Sequence, residues 1–308
     1  MPARKLRLRS IAKREVSSRN TGTQDLLILT LTKTHARHAG EDIVNTAQKI
    51  NDKEYYASYG EYMSVSLLKR FAEDPLGFPE YLEKRYEIDK PSDALVLGQA
   101  IHVCTLESFE DFKNQFPVLK DCNNERTGKP YGRKTNAWSK LCESQEISPW
   151  KALTEQEYDT VVDIATCCRY DTALGNIIQQ CNRVEYALRG ELLGLKFQGK
   201  MDAWNGDKLI FDLKTTQDTD EAFEACNRYK YAWQSLAYKH LLSGVINCKP
   251  EEIKFYFGFV EKKGKYRTRL INSKLIETKQ ATSDFWKAIE AAEQCKRRGD
   301  YRIGGLYI

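Results

Sequence analysis

Two aspartates and a lysine stand close together in the second half of the sequence. Asp202 precedes a turn signal at Asn205-Gly206, and Asp212 and Lys214 then follow on an apolar run. Two carboxylates are the oxygen ligands that a hard divalent cation prefers, and a neighbouring lysine can orient water or offset charge on phosphate. On one face of a sheet, these groups could hydrolyse a phosphodiester. The segment alone leaves open the alternative of a solvent-facing hairpin with scattered charges.

Strand geometry sets a condition on that chemistry. The runs 195–202 and 208–214 flank the Asn-Gly pair, which is a strong hairpin signal. Because side chains alternate along a strand, Asp212 and Lys214 share a face, and Asp202 joins them only if the loop has an odd number of residues. A three-residue loop at 205–207 pairs Asp202 with Ile210, diagonal to Asp212 and about 7 to 8 Å away. A two-residue turn would need a bulge to restore the shared face.

The hydrophobic pattern predicts the elements that position these residues. Ser64 is a candidate N-cap for one helix, and Thr154 with Glu157 forms a candidate capping box for another. Helices are predicted at 64–72, 94–107, 137–145, from 154 toward 181 with an interruption near Gly175, at 220–243 with a stop at Gly244, and at 273–298. Strands are predicted at 183–189, 195–204, 208–215, 253–260 and 266–271. This order predicts an α/β or α+β domain with a largely antiparallel sheet and an inserted crossover helix.

The charge of the 308-residue chain is uneven. The net charge is +5, but the basic residues concentrate at the N-terminus, and the chain after residue 20 is close to neutral. Residues 1–50 are therefore interpreted as a basic, poorly ordered or accessory arm, and 51–308 as one catalytic domain. Such an arm can bind phosphate nonspecifically, although a solvated tail is the commoner outcome, and an organelle transit peptide ranks lower.

Cysteine usage and hydropathy indicate the compartment. The nine cysteines are dispersed with no Cys-x-x-Cys, which is typical of free, mostly buried thiols in a reducing cytoplasm. No iron–sulfur cluster or zinc site is expected, because Cys226, Cys248 and Cys295 are widely separated. We also expect no membrane segment and no secretory signal, since the apolar stretch at 26–31 is far too short for a span.

Further polar residues could join the aspartates. His102 stands in an otherwise apolar predicted helix, and Glu185 stands in the first predicted strand of the sheet. Gln234 and Tyr238 are four residues apart and so share a helical face. Each has an ordinary structural explanation: a core histidine, an edge-strand charge, or amphipathic packing. Two hydroxyls that could cap the next segment or contact phosphate follow Lys214 directly, at Thr215 and Thr216.

Taken in order, these motifs resemble a known superfamily. The order His, Glu, Asp, Asp-x-Lys and Gln-x-x-x-Tyr resembles the PD-(D/E)xK nucleases in their RecB-like branch, and the chain from about residue 51 is similar to the RecE-type phage exonucleases. The matching segments are Tyr55-Tyr56, 64–75, 97–102, 106–107, 199–202 and 212–216. The resemblance implies a restriction-endonuclease-like α/β core, in which helices flank a mixed central sheet.

The resemblance also implies residue roles. His102, Asp202 and Asp212 would ligate Mg²⁺ or Mn²⁺ with the backbone carbonyl of Leu213, and Lys214 would position the attacking water. Glu185 would help bind a second metal or the water, and Gln234 and Tyr238 would contact the substrate near the scissile phosphate. The sequence departs from the family at Ser108-Phe109, where a proline is usual after the residue matching Glu107. It also lacks the C-terminal cysteines of the iron–sulfur subgroup.

The function that the resemblance implies is resection of DNA. The enzyme would digest one strand of linear duplex DNA 5′ to 3′ and leave 3′ overhangs for a single-strand annealing protein, acting as a homo-oligomeric ring. Two alternatives stay open at this point. One is a structure-specific endonuclease of the same fold, and the other is a DNA-binding or capsid-associated protein that retains the fold without catalysis.

Overall fold

A six-stranded sheet forms the centre of the protein in the computed structural model, which describes residues 45–84 and 92–302. The strands lie side by side in chain order, and every neighbouring pair is antiparallel except β4 and β5, which are parallel. Their bounds are β1 Thr46–Lys49, β2 Arg183–Leu192, β3 Leu195–Trp204, β4 Leu209–Thr216, β5 Lys254–Glu261 and β6 Thr268–Asn272. A parallel pair needs a crossover, and the helices between β4 and β5 supply it.

The described residues also form eleven α-helices. Their bounds are α1 Asp52–Ala57, α2 Val65–Glu73, α3 Phe78–Lys84, α4 Asp93–Leu106, α5 Phe109–Gln115, α6 Asn136–Ser144, α7 Glu155–Tyr170, α8 Thr172–Gln180, α9 Ala222–Arg228, α10 Tyr231–Ile246 and α11 Lys279–Arg298. All the strands and most of the helices that the sequence predicts are present. The sequence pattern did not predict α1, α3 and α5.

Helices cover both faces of the sheet. One core cluster joins α2, α10 and α11 to the first face, called here the α10 face. A second cluster joins α4, α7 and α8 to the opposite face, called here the α4 face. Strand β4 contributes to both, since Ile210 packs on the α10 face and Leu213 packs on the α4 face. The expected α/β fold, a mixed sheet flanked by helices in the restriction-endonuclease-like arrangement, is confirmed.

Capping residues begin two of the predicted helices. The side chain of Ser64 accepts a hydrogen bond from the backbone N–H of Leu67 at the start of α2. Thr154 and Glu157 form a reciprocal capping box at the start of α7, with distances of 3.1 and 2.9 Å. Each pair satisfies backbone donors that would otherwise lack a partner in the first helical turn. Both sequence-based caps are therefore confirmed.

Two predicted helix boundaries are wrong. The break after α7 falls at Asp171, whose carboxylate accepts hydrogen bonds from two backbone N–H groups and starts α8, rather than at Gly175. Gly244 does not end a helix but lies inside α10, which ends at Asn247 in a left-handed conformation. A Cβ on Gly244 would lie 1.9 Å from the side-chain nitrogen of Asn45, so this glycine permits close packing next to β1.

The predicted helix at 220–243 is two helices. Helix α9 ends at Arg228, and α10 begins after Lys230, which has a positive φ of 48°. This break matters for the site because it places the first turn of α10 beside β4. The Tyr231 ring packs against Phe257 of β5, with 5.4 Å between ring centroids.

A small third core cluster lies between α5 and α7 in the chain. It is formed by Leu119, Cys122, Trp138, Cys142 and Ala152. The buried Arg133 connects this region to the main fold, because its guanidinium lies 2.6 Å from a Glu157 oxygen on α7 and 3.6 Å from Asp93 at the start of α4. Helix α4 carries His102, so this connection also supports the site.

Most of the predicted N-terminal arm lies outside the described residues. The segment 46–49, which falls within the arm's predicted bounds, forms strand β1 and pairs with β2. None of the described cysteines is in a disulfide bond, and most are buried. Within 45–84 and 92–302, we find no helix that is both long enough and apolar enough to span a membrane.

Candidate active site

The β3–β4 hairpin aligns the two aspartates. Trp204 pairs with Ile210 and Ala203 pairs with Phe211, so the next position places Asp202 level with Asp212. The predicted pairing of Asp202 with Ile210 is therefore wrong. The parity of the loop is confirmed, because an odd number of residues separates each pair. The two carboxylates are brought closer together than the diagonal arrangement would bring them.

The side chain of Asn205 explains this register. Its Oδ1 accepts hydrogen bonds from the backbone N–H of Asp207 at 2.9 Å and of Leu209 at 3.0 Å. The backbone N–H of Asn205 donates to the carbonyl of Leu209 at 3.1 Å. Gly206 takes a positive φ of 84° within the turn. An asparagine that binds the backbone beyond itself favours a longer turn than the simple Asn-Gly form.

The backbone pairing of β3 and β4 ends at Ala203, and beyond it the Asp202 carboxylate binds the backbone of β4. Asp202 Oδ2 accepts a hydrogen bond of 2.9 Å from the backbone N–H of Leu213. His102 Nδ1, on α4, lies 3.3 Å from the same oxygen. The carboxylate therefore occupies the gap where the two strands stop pairing, within reach of groups from both faces of the sheet.

An interruption of the strand alternation turns Asp202 toward this gap. Met201 and Trp204 both pack on the α10 face although they are three residues apart, whereas Ala203 packs on the α4 face. The register of β2 and β3 is the same on either side, so no residue is inserted. Glu185, the residue opposite Asp202, instead has a positive φ of 60°. A non-glycine residue in this conformation inside a strand carries strain, and such strain concentrates at functional sites.

Asp212 is the most enclosed group of the site. Its side chain is 1% exposed, and the Gln234 side-chain amide donates a hydrogen bond to its Oδ2. Lys214 Nζ forms an ion pair with its Oδ1 at 2.5 Å. Each oxygen of this buried carboxylate therefore has a polar neighbour, as a buried charge requires.

The charge state of Lys214 follows from its neighbours. Burial alone would lower its pKa, but the carboxylates of Asp212 and Asp202 raise the pKa above its ordinary value. The ammonium also lies 4.9 Å from the ring centroid of Tyr231 and 6.0 Å from that of Phe257. Lys214 is therefore a cation at neutral pH, able to donate hydrogen bonds and stabilise negative charge, and not a base.

His102 and Asp202 both favour their neutral forms. Burial lowers the pKa of His102 to about 4, opposed by the charge of Asp212 and by a hydrogen bond to the Leu213 backbone. Burial raises the pKa of Asp202 well above its usual range, and the neighbouring Asp212 carboxylate raises it further. A neutral imidazole is the form that can bind a metal ion, and a carboxylate with a raised pKa gains from a nearby cation.

Glu185 has a separate counter-ion. Lys200, two residues before Asp202 on β3, forms an ion pair with Glu185 and another of 2.6 Å with Asp52 of α1. Burial would lower the pKa of Lys200, but Glu185 and Asp52 raise it above its ordinary value. The sequence interpretation missed Lys200. Its position on the same strand as Asp202, two residues away, is the signal that could have identified it.

The remaining predicted residues have mixed placements. Gln234 reaches the site, and its side-chain amide donates a hydrogen bond to Asp212. Its predicted contact with the substrate stays a prediction. Tyr238 is buried against Gly199, and its hydroxyl accepts a hydrogen bond of 3.2 Å from the Lys200 backbone N–H. Thr216 donates to the carbonyl of Asp218 and so stabilises the turn after β4, as the capping alternative predicted. Thr215 is half-buried beside Gly98 of α4.

The donor set has the chemistry of a divalent-cation site. It combines one imidazole and two carboxylates, and carboxylate oxygens suit Mg²⁺ or Mn²⁺. Oδ1 of Asp212, which faces the Lys214 ammonium, is the oxygen that such an ion would bind. Within the described part of the chain, no group of three or more His, Cys, Asp or Glu side chains is close enough together to hold a metal ion without rearrangement. The types of these residues therefore suit a divalent cation, and the Lys214 ammonium lies next to Asp212.

Comparison with known proteins agrees with this geometry. Residues 64–301 match the family model of the "PDDEXK-like domain of unknown function (DUF3799)". The chain belongs to this family. The matched region contains all the candidate residues described above and most of the sheet, so the sequence resemblance to the PD-(D/E)xK superfamily is confirmed. The RecE-type relationship remains a prediction.

A solved structure shares the fold of this PDDEXK-like protein. It is a crystal structure from Eubacterium rectale of a protein described as a "Putative exonuclease", with 18% sequence identity and a TM-score of 0.53. The match covers 85% of this chain and 88% of that chain. No protein with a curated description matches the sequence. At this identity the likeness supports the fold, and the PDDEXK-like family supports a nuclease.

Proposed function

We propose that this nuclease is a metal-dependent exodeoxyribonuclease that resects linear double-stranded DNA 5′ to 3′ and leaves 3′ single-stranded overhangs. The observation that carries the proposal is the meeting of Asp202, Asp212, Lys214 and His102 where β3 and β4 stop pairing. Carboxylates, an imidazole and an ammonium at one buried point suit hydrolysis of a phosphodiester. The exonuclease part draws support from the RecE-type motifs and from the description of the Eubacterium rectale protein.

The groups that would hold Mg²⁺ or Mn²⁺ are His102, Asp202, Asp212 and the Leu213 backbone carbonyl. A bound ion supplies polarisation of a phosphoryl oxygen and a lower pKa for bound water. Gln234 fixes the orientation of the Asp212 carboxylate through its hydrogen bond, as outer-sphere partners of metal ligands commonly do. Glu185 would help bind a second cation or the water, and Lys200 holds its carboxylate near Asp202.

Lys214 would act as a cation rather than as a base. Its raised pKa keeps the ammonium protonated at the pH of the cell, so it can donate hydrogen bonds to the attacking water and offset charge on the phosphate. The alternation of β4 places Lys214 two residues from Asp212 on the same face. The buried surroundings strengthen its electrostatic effect compared with an exposed lysine.

The biological setting follows from the same resemblance. A 3′ overhang is the substrate of single-strand annealing proteins, so we propose such a partner and a place in phage-type recombination in the cytoplasm of a bacterial or infected cell. A homo-oligomeric ring around DNA would hold the substrate by topology. The near-neutral charge of the chain after residue 20 is compatible with this grip, since less electrostatic attraction is then needed.

A digestion assay tests the activity and its direction together. Linear duplex DNA labelled at the 5′ or 3′ end is incubated with Mg²⁺ or with a chelator, and covalently closed circular duplex is the matched substrate without ends. We expect release of nucleotides from the 5′ end of the linear DNA, no cleavage of the circle and no activity with chelator. Cleavage of the circle would instead support the structure-specific endonuclease.

Two variants test the assigned site. Asp212→Asn should abolish measurable digestion, and Lys214→Ala should lower kcat on the order of 10²- to 10³-fold, as expected when a charge-stabilising donor is lost. Lys113→Ala is the matched control, because Lys113 pairs with Glu110 on the exposed surface of α5. A folded Asp212→Asn protein that digests DNA at the parental rate would show that the assignment of Asp212 to the active site is wrong.

A further inference from the structure

A second lysine lies beside the candidate active site. Lys69, on α2, places its Nζ 5.5 Å from the ring centroid of Tyr231, and Lys214 Nζ lies 4.9 Å from the same centroid. Because both ammonium groups lie this close to one ring, they are neighbours in the folded protein. Lys69 comes from a helix of the α10 face, whereas Lys214 comes from the sheet, so the fold assembles this pair from distant segments.

The position of Lys69 is fixed by a backbone contact. Its Nζ donates a hydrogen bond to the carbonyl oxygen of Tyr229, in the two-residue break between α9 and α10. The side chain is half-buried. The Lys69 ammonium is thus fixed in place by an uncharged acceptor, the Tyr229 carbonyl.

The charges around Lys69 do not compensate it. Within the described part of the chain, no carboxylate lies at ion-pair distance from its Nζ. Asp212 and Glu73 attract it from beyond ion-pair distance, but Asp212 is already engaged by Lys214 and Gln234, and Glu73 is paired with Arg70. Burial lowers the pKa of Lys69 to about 8, and the positive charges of Lys214 and Lys230 contribute to the decrease.

Burying an ammonium near other cations is unfavourable unless an anion joins them. The fold nevertheless holds the Lys69 ammonium there, through its hydrogen bond to the Tyr229 carbonyl. Sites that hold unbalanced charge in this way are commonly ligand sites. The missing anion must be reachable from solvent, and the neighbouring Tyr229 side chain is 51% exposed at this edge of the site.

We propose that Lys69 binds a backbone phosphate of the DNA strand that is cut, next to the phosphate held at Lys214. This inference rests on the proposed nuclease function and adds a second phosphate contact to it. Two ammonium groups that contact one ring from 5.5 and 4.9 Å are close enough to bind neighbouring phosphates of one DNA strand. The Tyr231 ring stabilises both ammonium groups through cation–π contacts.

Salt dependence of DNA binding tests this contact directly. Each phosphate contact that is lost should reduce the slope of log Kobs against log salt by about 0.7 to 0.9. Binding of a labelled duplex oligonucleotide with a single-stranded end is measured with chelator, for the wild type, Lys69→Met and Lys69→Arg. We expect Lys69→Met to bind about 10-fold or more weakly with a smaller slope, because a charge-assisted hydrogen bond is lost. Lys69→Arg should keep the wild-type slope.

The matched control is Lys84→Met. Lys84 is an exposed lysine that pairs with Glu80 on α3, so its loss should leave both affinity and slope unchanged. Circular dichroism and thermal melting establish that each variant is folded, and Lys69→Gln replaces Lys69→Met if the latter does not fold. A slope and affinity for the neutral variant equal to those of the wild type would overturn the assignment of Lys69.

Digestion assays separate this inference from the proposed function. If the wild type digests linear DNA and Lys69→Met raises KM more than it lowers kcat, the phosphate contact is supported. If the wild type digests DNA and Lys69→Met has unchanged kinetics and salt dependence, only the Lys69 contact is wrong. If the wild type neither binds nor digests DNA, the nuclease proposal itself fails.

Discussion

The Gln234 side-chain amide donates a hydrogen bond to Oδ2 of Asp212, and this contact joins helix α10 to strand β4 at the most buried carboxylate of the site. The other oxygen of Asp212 is left with Lys214 as its neighbour. Gln234 therefore fixes which oxygen of Asp212 faces Lys214 and the cation site. Its position also explains why the helix carries a glutamine at a buried place where an apolar residue would otherwise pack.

Replacing Gln234 by leucine should weaken metal binding. The substitution keeps a similar volume but removes the donor, so Asp212 Oδ2 loses its partner and the carboxylate is free to rotate. Loss of an outer-sphere partner commonly lowers metal affinity or activity by about 10- to 100-fold. The measurement is the Mg²⁺ concentration that gives half-maximal digestion, which should rise by that factor.

Ser243→Ala is the control for this substitution. Ser243 is also on α10, but its hydroxyl donates to the carbonyl of His240, away from Asp212. It should leave the Mg²⁺ requirement unchanged. Equal Mg²⁺ curves for Gln234→Leu and the wild type would show that the hydrogen bond does not position Asp212.

Glu185 should carry a backbone cost that glycine removes. Its φ of 60° is left-handed, which costs non-glycine residues roughly 1 to 2 kcal/mol. Both Glu185→Ala and Glu185→Gly remove the carboxylate, but only glycine relieves the conformation. We expect Glu185→Gly to be about 1 kcal/mol more stable than Glu185→Ala in urea unfolding, while both lose activity. If alanine proves as stable as glycine, the strand is not strained at this position.

Much of the fold could be predicted because its signals are local. The capping residues Ser64 and Thr154 mark helix starts through their own side chains, and the alternating runs of β3 and β4 carry their period in the sequence. Side-chain alternation also made an odd loop a condition of the active-site interpretation, and the loop meets that condition. The particular register did not, because it depends on how the Asn205 side chain binds the turn.

The features that the sequence did not predict depend on tertiary contacts. Nothing in the local sequence requires a left-handed Glu185, since glutamate does not favour that conformation. Gly244 has the pattern of a helix stop, but the packing of Asn45 determines its role. Lys69 and Lys214 are far apart in the chain, so only the folded structure places both on the Tyr231 ring.

Gly199 should tolerate no side chain. A Cβ at this position would lie 2.1 Å from a ring carbon of Tyr238, and that ring is buried. Gly199→Ala must displace the ring and disturb the hydrogen bond between the Tyr238 hydroxyl and the Lys200 backbone. Overpacking of this kind should destabilise the protein by about 1 to 3 kcal/mol in urea unfolding.

Gly132→Ala provides the comparison for this effect. A Cβ there would lie 3.7 Å from the Thr135 methyl group, which is an ordinary contact, and Gly132 does not have a positive φ. This substitution should change the free energy of unfolding by less than about 1 kcal/mol, in the stabilising direction. Similar destabilisation by both variants would mean that the Gly199–Tyr238 contact is not the cause.

His102 should make the metal-free protein less stable in acid. Its pKa is lowered from 6.5 to about 4 in the folded state, so between these values the unfolded chain binds more protons. Stability therefore falls as the pH decreases from about 6.5 to 4, and this effect ends below the folded pKa. Asp202 has a raised pKa, so its protonation favours the folded state over the same range and opposes His102. Melting temperatures of the wild type and His102→Gln, measured with chelator, separate the two: the variant should gain on the wild type only below pH 6.5. Parallel curves from pH 7 to 4 would contradict a buried, neutral His102.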